Sequence, residues 1–114
     1  MENKKWKEKF DELNAEKFEN KLPNYKIIIR NMRSFGNVNL IKKYISLNPK
    51  HSDESILNTL LHEMIHAELY RRGCRNRSHS IKFWRMFVEK GGVITDINKK
   101  WFAKARSVAE ENRE

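Results

Sequence analysis

His62 and His66 stand four residues apart, with Glu63 after the first, in the stretch Thr59-Leu60-Leu61-His62-Glu63-Met64-Ile65-His66-Ala67. On a helix, positions i and i+4 lie one above the other, so two imidazoles reach one metal ion without distorting the backbone. Zinc accepts neutral imidazole nitrogen, takes three protein ligands in a catalytic site and leaves its fourth position to water. Bound zinc lowers the pKa of that water to about 7, and a neighbouring carboxylate can take its proton as it attacks a carbonyl. HExxH on a helix is the pattern of zinc-dependent peptide hydrolysis, with Glu63 in the position of the general base.

A third ligand is needed, and its place sorts the HExxH enzymes. The metzincin pattern requires Gly at 69 and His at 72, where this chain has Leu69 and Arg72. The remaining imidazoles are His51 and His79. His51 lies roughly 16 Å of helix rise from His62, at the far end of the motif helix, which makes it a loop or cap residue. His79 follows His66 at a distance that lets a short loop fold it back over the metal.

The elements that must position these groups read as follows. Residues 4–19 carry Trp6, Phe10, Leu13 and Phe18 at helical spacing, and Leu22-Pro23-Asn24 ends that helix. Tyr25 to Arg33 is rich in β-branched residues and predicts a strand buried on both sides, and Phe35-Gly36-Asn37 predicts a turn. Residues 38–41 and 43–47 predict two more strands or one bent one. Ser52 is an N-cap candidate followed by Asp53 and Glu54, both favourable at the positive end of a helix, which then runs to about Tyr70 and stops at Arg71, Arg72 and Gly73. Ser78 or Ser80 caps a further helix through Lys90 with Ile81, Trp84, Phe87 and Val88 as its stripe. A last helix from Asp96 to about Asn112 presents Ile97, Trp101, Ala105 and Val108.

With 114 residues the chain reads as one catalytic domain spanning 1–114, with residues 93–114 a C-terminal helix placed to cover a cleft. The single cysteine, Cys74, excludes a disulfide framework and a zinc ribbon, so a metal must be held by His, Asp or Glu. No apolar leader follows the basic start and no run reaches membrane-spanning length, so the expectation is a cytoplasmic protein with no membrane partner. A net charge of +9 points to a polyanionic partner. The interleaved Lys and Glu of the first and last helices read as solvated faces. Arg71, Arg72, Arg75 and Arg77 fall in the loop after the motif helix with no acid among them, and they are the candidates for a nucleic-acid backbone or an acidic substrate.

Leu60-Leu61-His62-Glu63-Met64-Ile65-His66-Ala67, then His79 with Phe83-Trp84 beyond it, resembles the SprT-like domain, the catalytic part of the SprT and Spartan proteases. Phe10-Asp11-Glu12-Leu13-Asn14, Phe18, Lys21-Leu22-Pro23 and Ile45-Ser46-Leu47-Asn48-Pro49 extend the resemblance over residues 6–90. The resemblance implies an α+β zincin-like fold, a small antiparallel sheet packed on the HExxH helix with flanking helices. It also implies a zinc endopeptidase with one Zn2+ on His62, His66 and His79, Glu63 as base, and protein or peptide substrates. Some members act on DNA–protein crosslinks with single-stranded DNA as activator, which the arginine loop would suit. Ser80 replaces the glycine often found after the third His, and the zinc ribbon and recruiting tails of longer members are missing.

The chain is also similar to the compact minigluzincin and selecase-like peptidases, whose pattern would make Glu89 the third ligand and whose activity is held back by tails or oligomers. A third reading is a non-catalytic nucleic-acid-binding module with zinc, which would not need the Glu63 carboxylate. Substrate is expected along an edge strand at Tyr44 to Leu47, with Tyr70 or the arginines beside the oxyanion.

Overall fold

The computed structural model describes residues 3–74, 79–96 and 98–111, with side chains through Ser107. The elements in chain order are α1 (Lys4–Lys17), β1 (Lys26–Ile29), β2 (Gly36–Asn39), β3 (Tyr44–Leu47), α2 (Asp53–Arg71), α3 (Ile81–Glu89) and α4 (Lys99–Glu111). The α+β class with helices packed on a small sheet is as the sequence predicts. The sheet itself is mixed rather than antiparallel: its order is β1-β3-β2, with β1 parallel and β2 antiparallel to β3. The parallel pairing needs a crossover, and β2 supplies it by pairing on the far side of β3.

β3 is therefore the central strand, paired with Lys26 and Asn39 at Tyr44 and with Ile29 and Gly36 at Leu47. The edge expected at Tyr44 to Leu47 lies instead on β2. The reason is hydrophobic: Ile45 and Leu47 are fully buried and need neighbours on both sides. Ile27, Ile45 and Val38 stand in one row across the sheet and are all buried. Lys26 and Asn37 are exposed, while Ile28 and Ile29 are half-buried. So β1 is short and covered on one face, not a long strand buried on both.

Gly36 begins β2 rather than turning the chain. A Cβ there would stand 2.7 Å from the Ser46 carbonyl and 2.7 Å from the Thr59 methyl, so glycine lets this strand close onto α2. The turn falls after the strand, where the Asn39 side-chain oxygen accepts from the amides of Ile41 and Lys42 and Lys43 takes a positive φ of 59°.

α2 is capped by Ser52, whose hydroxyl accepts from the Ser55 amide, and Asp53 and Glu54 occupy its first turn. Its apolar side, Leu60, Leu61, Met64 and Ile65, joins Phe10, Tyr25, Ile27, Ile45 and Leu47 in one core. α1 ends earlier than predicted, where Glu19 and Asn20 both take positive φ, and the Asn14 carboxamide holds the exit. It donates to the Leu22 carbonyl and accepts from the Leu22 amide, each at 3.1 Å.

In α3, Ser80 is the cap, and the buried side is Phe83, Trp84, Met86 and Phe87, with Val88 exposed. In α4, Trp101 is 56% exposed while Phe102 and Ala105 pack on the core, so of the predicted stripe Ala105 faces inward and Trp101 does not. Ile97 and the Val108 side chain lie outside the described parts. No helix among the described residues is long and apolar enough to cross a membrane.

Candidate metal centre

The middle of α2 carries His62 and His66 on one face, and the end of the loop before α3 brings in His79. The Nε2 atoms of His62 and His79 approach to 3.0 Å, and those of His66 and His79 to 3.2 Å. Each of the three offers one ligand atom, all within 4.8 Å of one another. Tetrahedral zinc with Zn–N bonds near 2 Å separates its nitrogens by about 3.3 Å, so the donor set matches that ion in kind and spacing. Glu89, the other candidate, is exposed at the end of α3 and outside this group.

Burial, then the neighbouring His66 and His79, pushes the His62 pKa down to about 3. Burial lowers His79 as well. Both rings are therefore neutral at ordinary pH, the form in which imidazole ligates a metal. Glu63 is 7% exposed and lines a cavity of about 310 Å³ together with His62 and His79.

The imidazoles are held by an aromatic sleeve that α3 contributes. The Phe83 ring meets those of His66, His62 and His79 at centroid distances of 4.5, 4.7 and 4.9 Å. Trp84 lies nearly parallel to His79 at 5.4 Å, and Phe87 meets His62 edge-on at 5.7 Å. All three aromatic residues are fully buried. Rings locked on several sides lose little rotamer freedom on taking up a ligand.

The rest of the cavity wall comes from two other segments. Ser34, Phe35 and Gly36 line it from the sheet, and Thr95, Asn98 and Trp101 line it from the start of α4. The loop carrying Phe35 is fixed by the buried Asn48, whose amide nitrogen donates to the Met32 and Ser34 carbonyls at 2.8 and 3.1 Å. The Phe35 ring stacks on His51 at 3.8 Å, which gives that histidine a role away from the metal. The segment before α4 is fixed by Asn58, one turn ahead of His62. Its carboxamide donates to the Val93 carbonyl at 3.0 Å and accepts from the Val93 amide at 2.9 Å.

The structure brings His62, Glu63, His66 and His79 together and gives Arg71 and Arg72 another partner. Arg71 and Arg72 both pair with the buried Glu68, at 2.6 and 3.0 Å. Burial opposes the Glu68 charge, yet the two guanidiniums hold its carboxyl below the usual range. Arg75 and Arg77 lie outside the described residues. Tyr70, expected near an oxyanion, lines a different cavity with Arg30 and Tyr44. The sequence marks Phe35 only as part of a turn and Asn48 only as the end of a strand segment, and Asn58 is not singled out as a site residue. For Asn58 the signal was its i−4 spacing from His62.

A helix that supplies two imidazoles and a carboxylate, met by a third imidazole before the next helix and flanked by a small sheet, defines a metallopeptidase-like class. The chain belongs to the SprT-like family, whose model matches residues 6–103. The fold is similar to the crystal structure of the metallopeptidase zymogen of Pyrococcus abyssi abylysin, with a TM-score of 0.56 and 20% identity over 89% of this chain and 95% of that one. No curated protein matches the chain.

Proposed function

We propose that the protein is a zinc-dependent endopeptidase in which His62, His66 and His79 hold one Zn2+ and Glu63 is the general base. The observation that carries this reading is the convergence of three imidazole nitrogens beside a buried carboxylate in an accessible cavity. Zinc, when bound, supplies Lewis-acid polarisation of the scissile carbonyl and acidifies the attacking water. Glu63 takes the proton from that water at a carboxylate oxygen and hands it to the departing amine. The peptide backbone lies extended along β2, the sheet edge that lines the cavity through Gly36, and adds to the sheet as a further strand. The sleeve of Phe83, Trp84 and Phe87 keeps water from the far side of the imidazoles.

The net charge of +9 supports substrates associated with nucleic acid. A second reading keeps the same chemistry but makes α4 a cover that holds the enzyme latent. Trp101, at 6.2 Å from the His79 ring, favours it. The third reading, a non-catalytic zinc-bearing module, parts from both at Glu63.

The test is proteolysis of casein by wild type and Glu63→Gln, each with its zinc measured, with and without single-stranded DNA and before and after removal of α4. The expected result is one zinc in both proteins and a loss of cleavage of about 10²- to 10⁴-fold in the variant. Equal cleavage by both, or zinc bound with no cleavage in any form, would overturn the peptidase reading. Stimulation by DNA supports the nucleic-acid-associated substrate, and cleavage appearing only after removal of α4 supports the latent enzyme.

A further inference from the structure

The cavity beside the three histidines has two aromatic residues that neither bind metal nor belong to the sleeve. Phe35 enters from the sheet side, held by its stack on His51 and by the Asn48 bonds to its loop. Trp101 enters from α4 and leaves more than half of its surface in water. Both line the same space of about 310 Å³ as Glu63 and His79. An indole left open to water next to a reacting centre is unfavourable until something apolar covers it.

We propose that Phe35 and Trp101 form a side-chain pocket that selects substrates with a large apolar residue flanking the scissile bond, and that Asn58 is the positioning residue that sets its width. The proposal rests on the peptidase reading and adds to it the class of residue the site accepts. α4 acts here as a wall rather than a plug, because the cavity still reaches His62, Glu63 and His79 with Trp101 in place.

The wall has a defined attachment. Among the regular elements, α4 packs on α3, and the segment before it is tied to α2 through the two Asn58–Val93 bonds. Gly92 is seated on the Phe87 ring, where a Cβ would fall 2.4 Å from a ring carbon. Thr95 and Asn98 then lead into α4, the Asn98 side chain accepting from the Thr95 amide at 2.7 Å, so the placing of Trp101 depends on where Val93 is held as well as on α3. Apart from Glu63 and the two histidines, the polar lining groups, Ser34, Ser55, Asn58, Thr59, Thr95 and Asn98, are small and carry no charge, so away from that centre nothing pairs with a charged substrate side chain.

The experiment uses the full chain loaded with zinc and internally quenched peptides that differ only in the residues flanking the cut bond, set to Phe, Leu, Ala or Asp. Wild type is expected to cleave the Phe or Leu peptides about ten- to a hundredfold faster in kcat/KM than the Ala peptide. Trp101→Ala and Phe35→Ala should each lower kcat/KM about tenfold more for the Phe peptide than for the Ala peptide, with most of the preference returned by Trp101→Phe. Asn58→Ala, which removes no aromatic group, should narrow the same ratio. Binding of the same peptides to Glu63→Gln, followed by fluorescence anisotropy, should rank them in the same order.

A flat preference in wild type, or a ratio unmoved in all three variants, overturns the proposal. So does a uniform rise for every peptide in Trp101→Ala, since that would make α4 a cover. If wild type carries zinc and cleaves neither peptides nor casein, the peptidase reading fails. The binding ranks on Glu63→Gln then decide the pocket by themselves.

Discussion

Two asparagines make the same clamp in two settings. Asn14 and Asn58 each bind the amide and the carbonyl of a single distant residue, the first at Leu22 and the second at Val93. Asn14 is buried and reaches 8 residues along the chain, closing the exit of α1 over the core. Asn58 is half-buried and reaches 35 residues, tying the entry of α4 to the helix that carries His62 and His66. A buried clamp satisfies peptide groups that have no alternative, whereas water can replace a half-exposed one. One clamp thus belongs to the region that must form for the chain to fold. The other belongs to a wall that can shift while the fold persists.

The comparison breaks most severely if the histidine centre is not part of the rigid region. Phe83 touches all three imidazole rings from full burial. Phe83→Ala is expected to cost about 3–5 kcal/mol in urea unfolding. Zinc affinity should fall by about ten- to a hundredfold, as when the groups orienting metal ligands are removed. Trp101→Ala, across the same cavity, should change stability by no more than about 0.5 kcal/mol, because its ring is largely exposed. Similar costs for the two would erase the distinction between centre and wall.

Asn14→Ala comes next. It leaves a buried amide and a buried carbonyl at Leu22 without partners, at about 1–3 kcal/mol for each group. The loss should appear in global unfolding and leave the zinc affinity of the folded protein unchanged, since the Asn14 bonds hold Leu22 and no residue of the histidine centre. A drop in zinc affinity would show that the two regions are coupled.

Gly92→Ala tests the boundary between them. The added methyl would meet the Phe87 ring, and Phe87 in turn packs edge-on against His62. Overpacking of a closed core costs about 1–3 kcal/mol. The strain can be relieved by lifting the segment before α4 or by pushing Phe87 inward. Loss of peptide selectivity with zinc affinity kept identifies the first route, and loss of zinc affinity identifies the second.

How much of this was legible in the sequence follows the same division. The i, i+4 spacing of His62 and His66, the Ser52 cap and the glycine stop after Arg72 are local signals, and the helix they describe is there almost to the residue. The order of the strands was not legible, because pairing partners far apart in sequence are chosen by burial across the whole sheet. Gly36 shows the difficulty: read locally it is a turn residue, yet it marks the close approach of β2 to α2. Trp101 was read as a core residue from its spacing. Its exposure depends on where the clamp at Val93 sets α4, and no local pattern carries that information.

Asn58→Ala sharpens the comparison with the smallest effect on stability. Its two hydrogen bonds lie near the surface, so water replaces them and global unfolding should change by no more than about 1 kcal/mol. The local consequence is larger than the global one. The Val93 amide should lose its protection in hydrogen exchange, while the Leu22 amide, held by the buried clamp, stays protected until the whole domain unfolds. Asn58→Asp separates geometry from donor count: the carboxylate still accepts from the Val93 amide but cannot donate to its carbonyl. It should therefore keep part of the amide protection. If the Val93 amide exchanges only by global unfolding in all three proteins, residues 92–95 belong to the rigid region and the clamp merely decorates it. If protection falls stepwise from wild type through Asn58→Asp to Asn58→Ala with the stability nearly constant, the wall is held by that one side chain.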